Sequence, residues 1–165
     1  MKKVILMLML LAPMALFAQK FGHIDTQSII QSLPEFARAN GEIEAVGKQY
    51  ENELKASQDE LQRMAEEDDK NKSTMNEPKQ RETEEQLNQM YTRIQQQAQQ
   101  NQQAFQKTQA EKLQPIFDKV RKAIEEVAKA GGYVYIMEKA SVLYINEAIS
   151  KDVTSEVKSQ LNKMK

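Results

Sequence analysis

The fold is indicated first by residues 87–108, LNQMYTRIQQQAQQNQQAFQKT. In this glutamine-rich segment, seven regularly spaced residues would form a narrow stripe along one side of a helix. Alternating steps of four and three residues define that stripe as Leu87, Tyr91, Ile94, Ala98, Asn101, Phe105 and Thr108. Earlier in the chain the same steps give Ile43, Gly47, Tyr50, Leu54, Ser57, Leu61 and Met64. These are coiled-coil spacings. Small and polar residues interrupt both stripes, so we expect two helices in thin contact.

A polar segment separates the two stripes. Residues 68–78, DDKNKSTMNEP, lack an apolar period and end in Pro78, as is typical of a turn. The flanking helices are predicted over 35–69 and 79–113, with the turn near 70–78. Their equal lengths predict an antiparallel helical hairpin, which we call the arm (35–113). A single long helix is the alternative, and Pro78 argues against it.

The rest of the chain is much more apolar. Only 9 of the 32 residues in 82–113 are apolar, against 20 of the 34 residues in 116–149. Residues 19–34 and 114–165 are therefore predicted to form a packed body. Pro115 should bend or interrupt the returning helix, which Gly131 and Gly132 should end.

Within this body, three strands and a closing helix are predicted. The strands are residues 20–25, 133–137 and 142–145, and the helix is 151–163. Consecutive apolar residues make both faces of the sheet apolar, and so small a body cannot cover both. Copies of the chain are therefore expected to cover one another. The candidates for that contact are Ile24, Tyr133, Val134, Tyr135, Ile136, Val142, Leu143, Tyr144 and Ile145. The predicted fold class is α+β, predominantly helical.

The first 18 residues have the layout of a secretory signal peptide. Lys2 and Lys3 precede an apolar run that ends in Ala18, after which cleavage is expected. That run is short for a spanning helix, which needs about 20 residues. A membrane anchor or a buried helix is the alternative. An exported chain without cysteine is typical of a bacterial cell envelope.

Composition argues against several kinds of function. The chain has no Cys and one His, and this excludes thiolate metal sites and a cysteine nucleophile and disfavours a Ser-His-Asp triad. The formal net charge of −1 gives no basis for nucleic-acid binding. No glycine-rich phosphate loop is present, and no cofactor is expected. An enzyme in which His23 acts as general base beside Asp25 is the weakest alternative. We expect His23 instead to be a strand residue near the surface of the body.

Over residues 19–163 the chain resembles the Skp/OmpH family of periplasmic chaperones. The resemblance lies in the order of the elements and in five segments: KFGHIDT (20–26), LPEF (33–36), GYVYIM (132–137), VLYI (142–145) and DVTSEV (152–157). It implies a homotrimer whose arms enclose a cavity. There the family holds unfolded outer-membrane proteins, without ATP, in the periplasm of Gram-negative bacteria. The alternative is a structural coiled-coil scaffold of the envelope that binds no client.

Apolar residues along the arm are candidates for contact with unfolded clients. They are Met64, Met75, Met90, Tyr91, Ile94 and Phe105. Weak contacts from several arms would add by multivalency, and methionine adapts to varied partners. For Tyr91, Ile94 and Phe105, the simpler interpretation is that they hold the two arm helices together. Met75, in the turn, should be exposed.

The predicted tip of the arm departs from the family's basic character. Residues 66–85 contain eight acidic residues and four basic ones, Lys70, Lys72, Lys79 and Arg81. Electrostatic capture of acidic clients is therefore not expected there. The resemblance leaves contact with membrane lipid open, but this charge gives it no support.

Overall fold

The computed structural model describes residues 19–164, and the predicted signal peptide lies outside this range. In chain order the elements are β1 (Lys20–Ile24), α1 (Thr26–Gln31), α2 (Pro34–Asn71), α3 (Glu77–Gly131), β2 (Tyr133–Glu138), a 3-10 turn (Lys139–Ser141), β3 (Ser150–Asp152) and α4 (Thr154–Lys163). Long helices and one small sheet confirm the predicted fold class. Over residues 19–164, no helix has both the length and the apolar character that crossing a bilayer requires.

Packing divides the chain into two units. Among the described residues, the sheet unit comprises 19–30 and 119–164, and the hairpin unit is Gln31–Asp118. Each unit is described by itself below.

Local signals set the ends of the long helices in the hairpin unit. Helix α2 starts at Pro34, whose fixed φ suits a first helical position. Asn76 starts α3, since its Oδ1 accepts the backbone N–H of Lys79 at 3.1 Å. Pro78 therefore lies in the first turn of α3 and does not precede the helix. The link between the helices is consequently shorter than the polar segment suggests.

Pro115 was predicted to bend or interrupt the returning helix, and the interruption is wrong because α3 continues through this residue. A proline inside a helix loses one hydrogen bond and costs about 3 kcal/mol. Here Pro115 is exposed, and the adjacent Ile116 is buried, which stabilises the helical turn that the proline weakens. Burial of one large aliphatic side chain offsets much of that cost.

The end of α3 follows the sequence-based prediction. Gly132 has φ +66°, a left-handed conformation that costs glycine nothing, and its N–H donates to the carbonyl of Lys129. This is a glycine helix stop, and the chain enters β2 at the next residue. The prediction that Gly131 and Gly132 end the helix is confirmed.

The sheet has the order β2-β1-β3, with both outer strands parallel to β1. His23, in the central strand, pairs with Met137 on one side and Asp152 on the other. Ile24, Ile29, Val153, Val157 and Leu161 are buried and form the core of this unit. At the end of β1, Asp25 Oδ1 accepts the N–H of Ser28 at 2.8 Å and caps α1.

The third strand differs from the prediction. Residues 142–145 form no strand, and β3 is instead Ser150–Asp152. The two edges of β1 are already paired with β2 and β3, so the central strand has no edge left for the apolar run 142–145. For the same reason the closing helix begins at Thr154 and not at residue 151, because Lys151 and Asp152 belong to the ladder.

Candidate functional site

An exposed apolar surface lies on the sheet unit. We call it the apolar surface and define it by the large side chains that are exposed there: Val134, Tyr135, Met137, Leu143, Tyr144 and Ile149. Leu143 and Tyr144 are 109% and 78% exposed. Four of the six, Tyr135, Met137, Tyr144 and Ile149, line one cavity of about 170 Å³, so the surface is convergent and not scattered. Convergent exposed apolar side chains mark a site of protein association.

The structure divides the residues predicted for contact between copies. Val134, Tyr135, Leu143 and Tyr144 belong to the apolar surface, whereas Ile24 is buried in the core of its own chain. The remaining four, Tyr133, Ile136, Val142 and Ile145, are half-buried. Sequence reasoning omitted Met137 and Ile149. Met137 belongs to the apolar run that begins at Tyr133, and the length of that run was the available signal. Ile149 is separated from the run 142–145 by Asn146 and Glu147, so no such signal pointed to it.

Aromatic stacking supports one edge of this surface. The rings of Phe21, on β1, and Tyr135, on β2, have centroids 4.7 Å apart and are tilted by 31°. An aromatic pair of this geometry contributes about 0.5–1.5 kcal/mol beyond its area burial. The pair holds Tyr135 in place while its side chain stays half exposed.

His23 is buried, so the expectation that it lies near the surface is wrong. Strand β3 covers it, and its Nδ1 lies 3.0 Å from Ser150 Oγ. Its Nε2 lies 3.8 Å from Asp152 Oδ2. These contacts link the central strand to the short edge strand. Asp25, proposed beside His23 in the enzyme alternative, has its Oδ1 engaged by the backbone of Ser28.

The carboxylate of Asp152 is held in its charged form. Burial alone would raise the pKa of Asp152, but hydrogen bonds from Thr154 and the nearby charges of His23 and Lys139 lower it overall. Its Oδ1 accepts the N–H of Thr154 at 2.9 Å, at the start of α4. Across residues 19–164, His, Asp and Glu form no group of three or more suited to a metal ion.

In the hairpin unit the two helices run antiparallel. Glu42 on α2 pairs with Lys112 on α3, and Ser57 Oγ donates to Gln97 Oε1 at 3.2 Å. The residue number falls along α3 as it rises along α2, as a hairpin requires. The Lys112 hydrogen bond is the main cause that lowers the pKa of Glu42, with the lysine charge second.

The client-contact candidates differ in exposure. Tyr91 is 56% exposed, Ile94 is buried, and the other four, Met64, Met75, Met90 and Phe105, are half-buried. Met75 is thus less exposed than a turn residue was expected to be. Phe105 lies against Gly47, where an added Cβ would come within 3.2 Å of its ring. Ile94 and Phe105 therefore contribute to helix contact, and Tyr91 faces solvent.

Two cations near the start of α3 have acidic partners on their own helix. Lys79 pairs with Glu82 at 2.9 Å, and Arg81 approaches Glu77 at 3.8 Å. Both pairs are exposed, and such pairs contribute little to stability. They do, however, neutralise part of the positive charge that an acidic ligand would need.

Comparison with known proteins gives one consistent result. Residues 20–161 match the family model described as outer membrane protein (OmpH-like). The chain is 30% identical to the chaperone protein Skp of Pectobacterium atrosepticum, over 87% of this chain and 86% of that protein. It is also 30% identical to the Skp of Yersinia enterocolitica, over 93% of each.

The fold has a counterpart among solved structures. A putative outer membrane chaperone (OmpH-like) from Caulobacter crescentus superposes with a TM-score of 0.75, over 89% of this chain and 86% of that one. At 17% identity this match concerns the fold alone. The family model and the two relatives nevertheless suffice, and the chain belongs to the OmpH-like family, whose members are chaperones without enzymatic activity, as the sequence predicted.

Proposed function

We propose that the protein is an ATP-independent holdase of the periplasm that keeps unfolded outer-membrane proteins from aggregating. It acts as a homotrimer, in which residues 19–34 and 114–165 form the shared body and residues 35–113 form the arm. The clients occupy the space between the arms. Two relatives that carry the name chaperone protein Skp, at 30% identity, support this assignment.

The observation that carries the proposal is the apolar surface of the sheet unit. Burial of apolar area contributes about 25 cal/mol per Å², so leaving Leu143 and Tyr144 in water is costly to a lone chain. Among residues 19–164, strand β2 pairs on one side only, with β1. Its other edge, with the adjacent Val134 and Tyr135, suits contact with a second copy.

The arm suits weak and varied contact with clients. Its seam residues are mostly half-buried, so partly accessible apolar side chains alternate with a polar surface. An unfolded β-barrel protein offers segments of about 10 residues with alternating apolar side chains. Many shallow contacts of this kind hold a client without fixing one conformation.

Dilution of a denatured outer-membrane barrel into buffer tests the proposal. With the protein present at micromolar concentration, light scattering from barrel aggregates should fall strongly, with no nucleotide added. The same sample should show a native mass of three chains. If several different barrels aggregate as fast with the protein as without it, the holdase is refuted, and a scaffold role in the envelope becomes the better account.

A further inference from the structure

The hairpin unit contains an apolar slot between α2 and α3. A cavity of about 340 Å³ opens there. We call it the slot and define it by six of the residues that line it: Gly47, Tyr50, Leu54, Ala98, Asn101 and Phe105. Gly47 and Ala98 occupy seam positions where a regular coil carries large aliphatic side chains. The ring of Phe105 packs against Gly47, and the small side chain of Ala98 leaves the space that the rings of Tyr50 and Phe105 border.

A polar atom without a partner lies in the slot wall. The side-chain nitrogen Nδ2 of Asn101 is buried and has no hydrogen-bond partner among residues 19–164. A buried donor left without an acceptor destabilises the fold. An acceptor brought by a ligand would remove that cost, and a peptide carbonyl is such an acceptor.

The surroundings of the slot on α3 carry no charge. Residues 94–106 contain eight Gln and one Asn and not one charged residue. Ala98, Asn101 and Phe105 belong to this segment. Glu51, on α2, is the one charged residue among those that line the slot, so the α3 wall itself meets an uncharged extended chain without the desolvation of an ion. Its side-chain amides both donate and accept hydrogen bonds, as a peptide backbone does.

We propose that the slot binds one aromatic or aliphatic side chain of an extended, uncharged polypeptide segment, whose backbone carbonyl accepts a hydrogen bond from Asn101 Nδ2. The choice of an unfolded membrane strand as that segment rests on the proposed function. In such a strand every second side chain points to the same side. One apolar side chain enters the slot, and the backbone beside it meets the glutamine-rich surface.

Fluorescence gives a direct test, because the chain has no tryptophan. The variant Tyr50→Trp places a single reporter in the slot wall. The probe is a tryptophan-free peptide of about 10 residues that alternates Phe or Val with Ser or Thr, as a transmembrane strand does. Saturable binding should shift the reporter emission to shorter wavelength. The matched reporter Phe117→Trp, at another exposed aromatic position of α3, should show no shift.

Two variants close the slot in different ways. Ala98→Leu fills the cavity and Asn101→Leu removes the donor, and each should weaken peptide binding by about tenfold, equivalent to about 1.4 kcal/mol. Both add an apolar side chain at a seam position, so the helical hairpin should persist by circular dichroism. Ala110→Leu, at an exposed position of α3, is the control and should leave the affinity unchanged.

Any one of three results would refute peptide binding in the slot. The first is that the Tyr50→Trp reporter shows no shift, and the second is that the two slot variants bind the peptide as tightly as Ala110→Leu does. The third is that an alkyl chain without carbonyls binds as well as the peptide. The barrel-aggregation assay separates this from the proposed function. Suppression of aggregation without a slot signal refutes the slot alone, whereas a slot signal without suppression supports the slot and refutes the holdase.

Discussion

The two units of this chain differ in how their apolar side chains are buried and exposed. The sheet unit has a fully buried core around Ile29, Val153 and Val157, yet it leaves Leu143 and Tyr144 exposed. The hairpin unit has few fully buried side chains, and its seam residues are mostly half-buried. We therefore propose that the first unit associates through one defined surface. The second stays solvated and exposes many small apolar areas.

The largest expected effect concerns association through the sheet unit. The double substitution Leu143→Asp and Tyr144→Asp places two charges in the apolar surface and should reduce the native mass to that of one chain. Both side chains are exposed in the single chain, so its helical content should not change. Light scattering coupled to size exclusion measures the mass. Tyr91→Asp, on the hairpin unit, is the control and should leave it unchanged.

The same chemical change should cost more in the sheet unit than in the hairpin unit. Ile29→Ala removes a completely buried side chain and should lower the free energy of unfolding by about 2–5 kcal/mol. Ile94→Ala, in the thin seam, should cost less, because the site is narrow and water reaches it more easily. Urea unfolding compares the two variants. Equal costs would mean that the seam is packed as tightly as the core.

Two glycine substitutions should have opposite signs. Gly132→Ala forces a side chain into a left-handed conformation and should cost about 1–2 kcal/mol. Gly41→Ala lies inside α2 with no atom within 4 Å of the added Cβ, and it should stabilise the helix by about 0.5–1 kcal/mol. Thermal unfolding followed by circular dichroism measures both. A stabilising Gly132→Ala would contradict the assigned helix stop.

Local signals made the helices predictable, and nonlocal pairing limited the prediction of the sheet. The steps of the two seams and the Gly131-Gly132 stop act within a few residues, so the sequence alone reveals them. The assignment of β3 to residues 142–145 failed because pairing with β1, far away in the sequence, selects Ser150–Asp152 instead. The burial of His23 depends on the same pairing.

The candidate sites follow the same rule. Val134 and Tyr135 were predicted to contact another copy because of the apolar run in which they stand. They are exposed in the single chain, and the contact itself stays a prediction. The slot was not predicted, although Gly47 and Ala98 were both noted in the seams. Only the pairing of α2 with α3 shows that these two small residues border one cavity.

The smallest expected effect is electrostatic and belongs to the hairpin unit. The bond from Lys112 holds the pKa of Glu42 below its ordinary value of 4.5. A carboxyl group with a lowered pKa contributes stability above its ordinary pKa, and this stability is lost as the pH falls through the lowered value. When the pH is lowered from 5, the temperature at the midpoint of unfolding of the arm should therefore fall slightly more in the parent protein than in the Glu42→Gln variant.

Salt provides the control for that comparison. Both side chains of the Glu42–Lys112 pair are 46% exposed, so added salt should screen most of their attraction. At high ionic strength the parent protein and Glu42→Gln should lose stability equally on acidification. A difference that persists in high salt would assign the acid sensitivity to the hydrogen bond more than to the charges. This one contact, which joins α2 to α3 near the end of the arm opposite the turn, would then help to fix the register of the two helices.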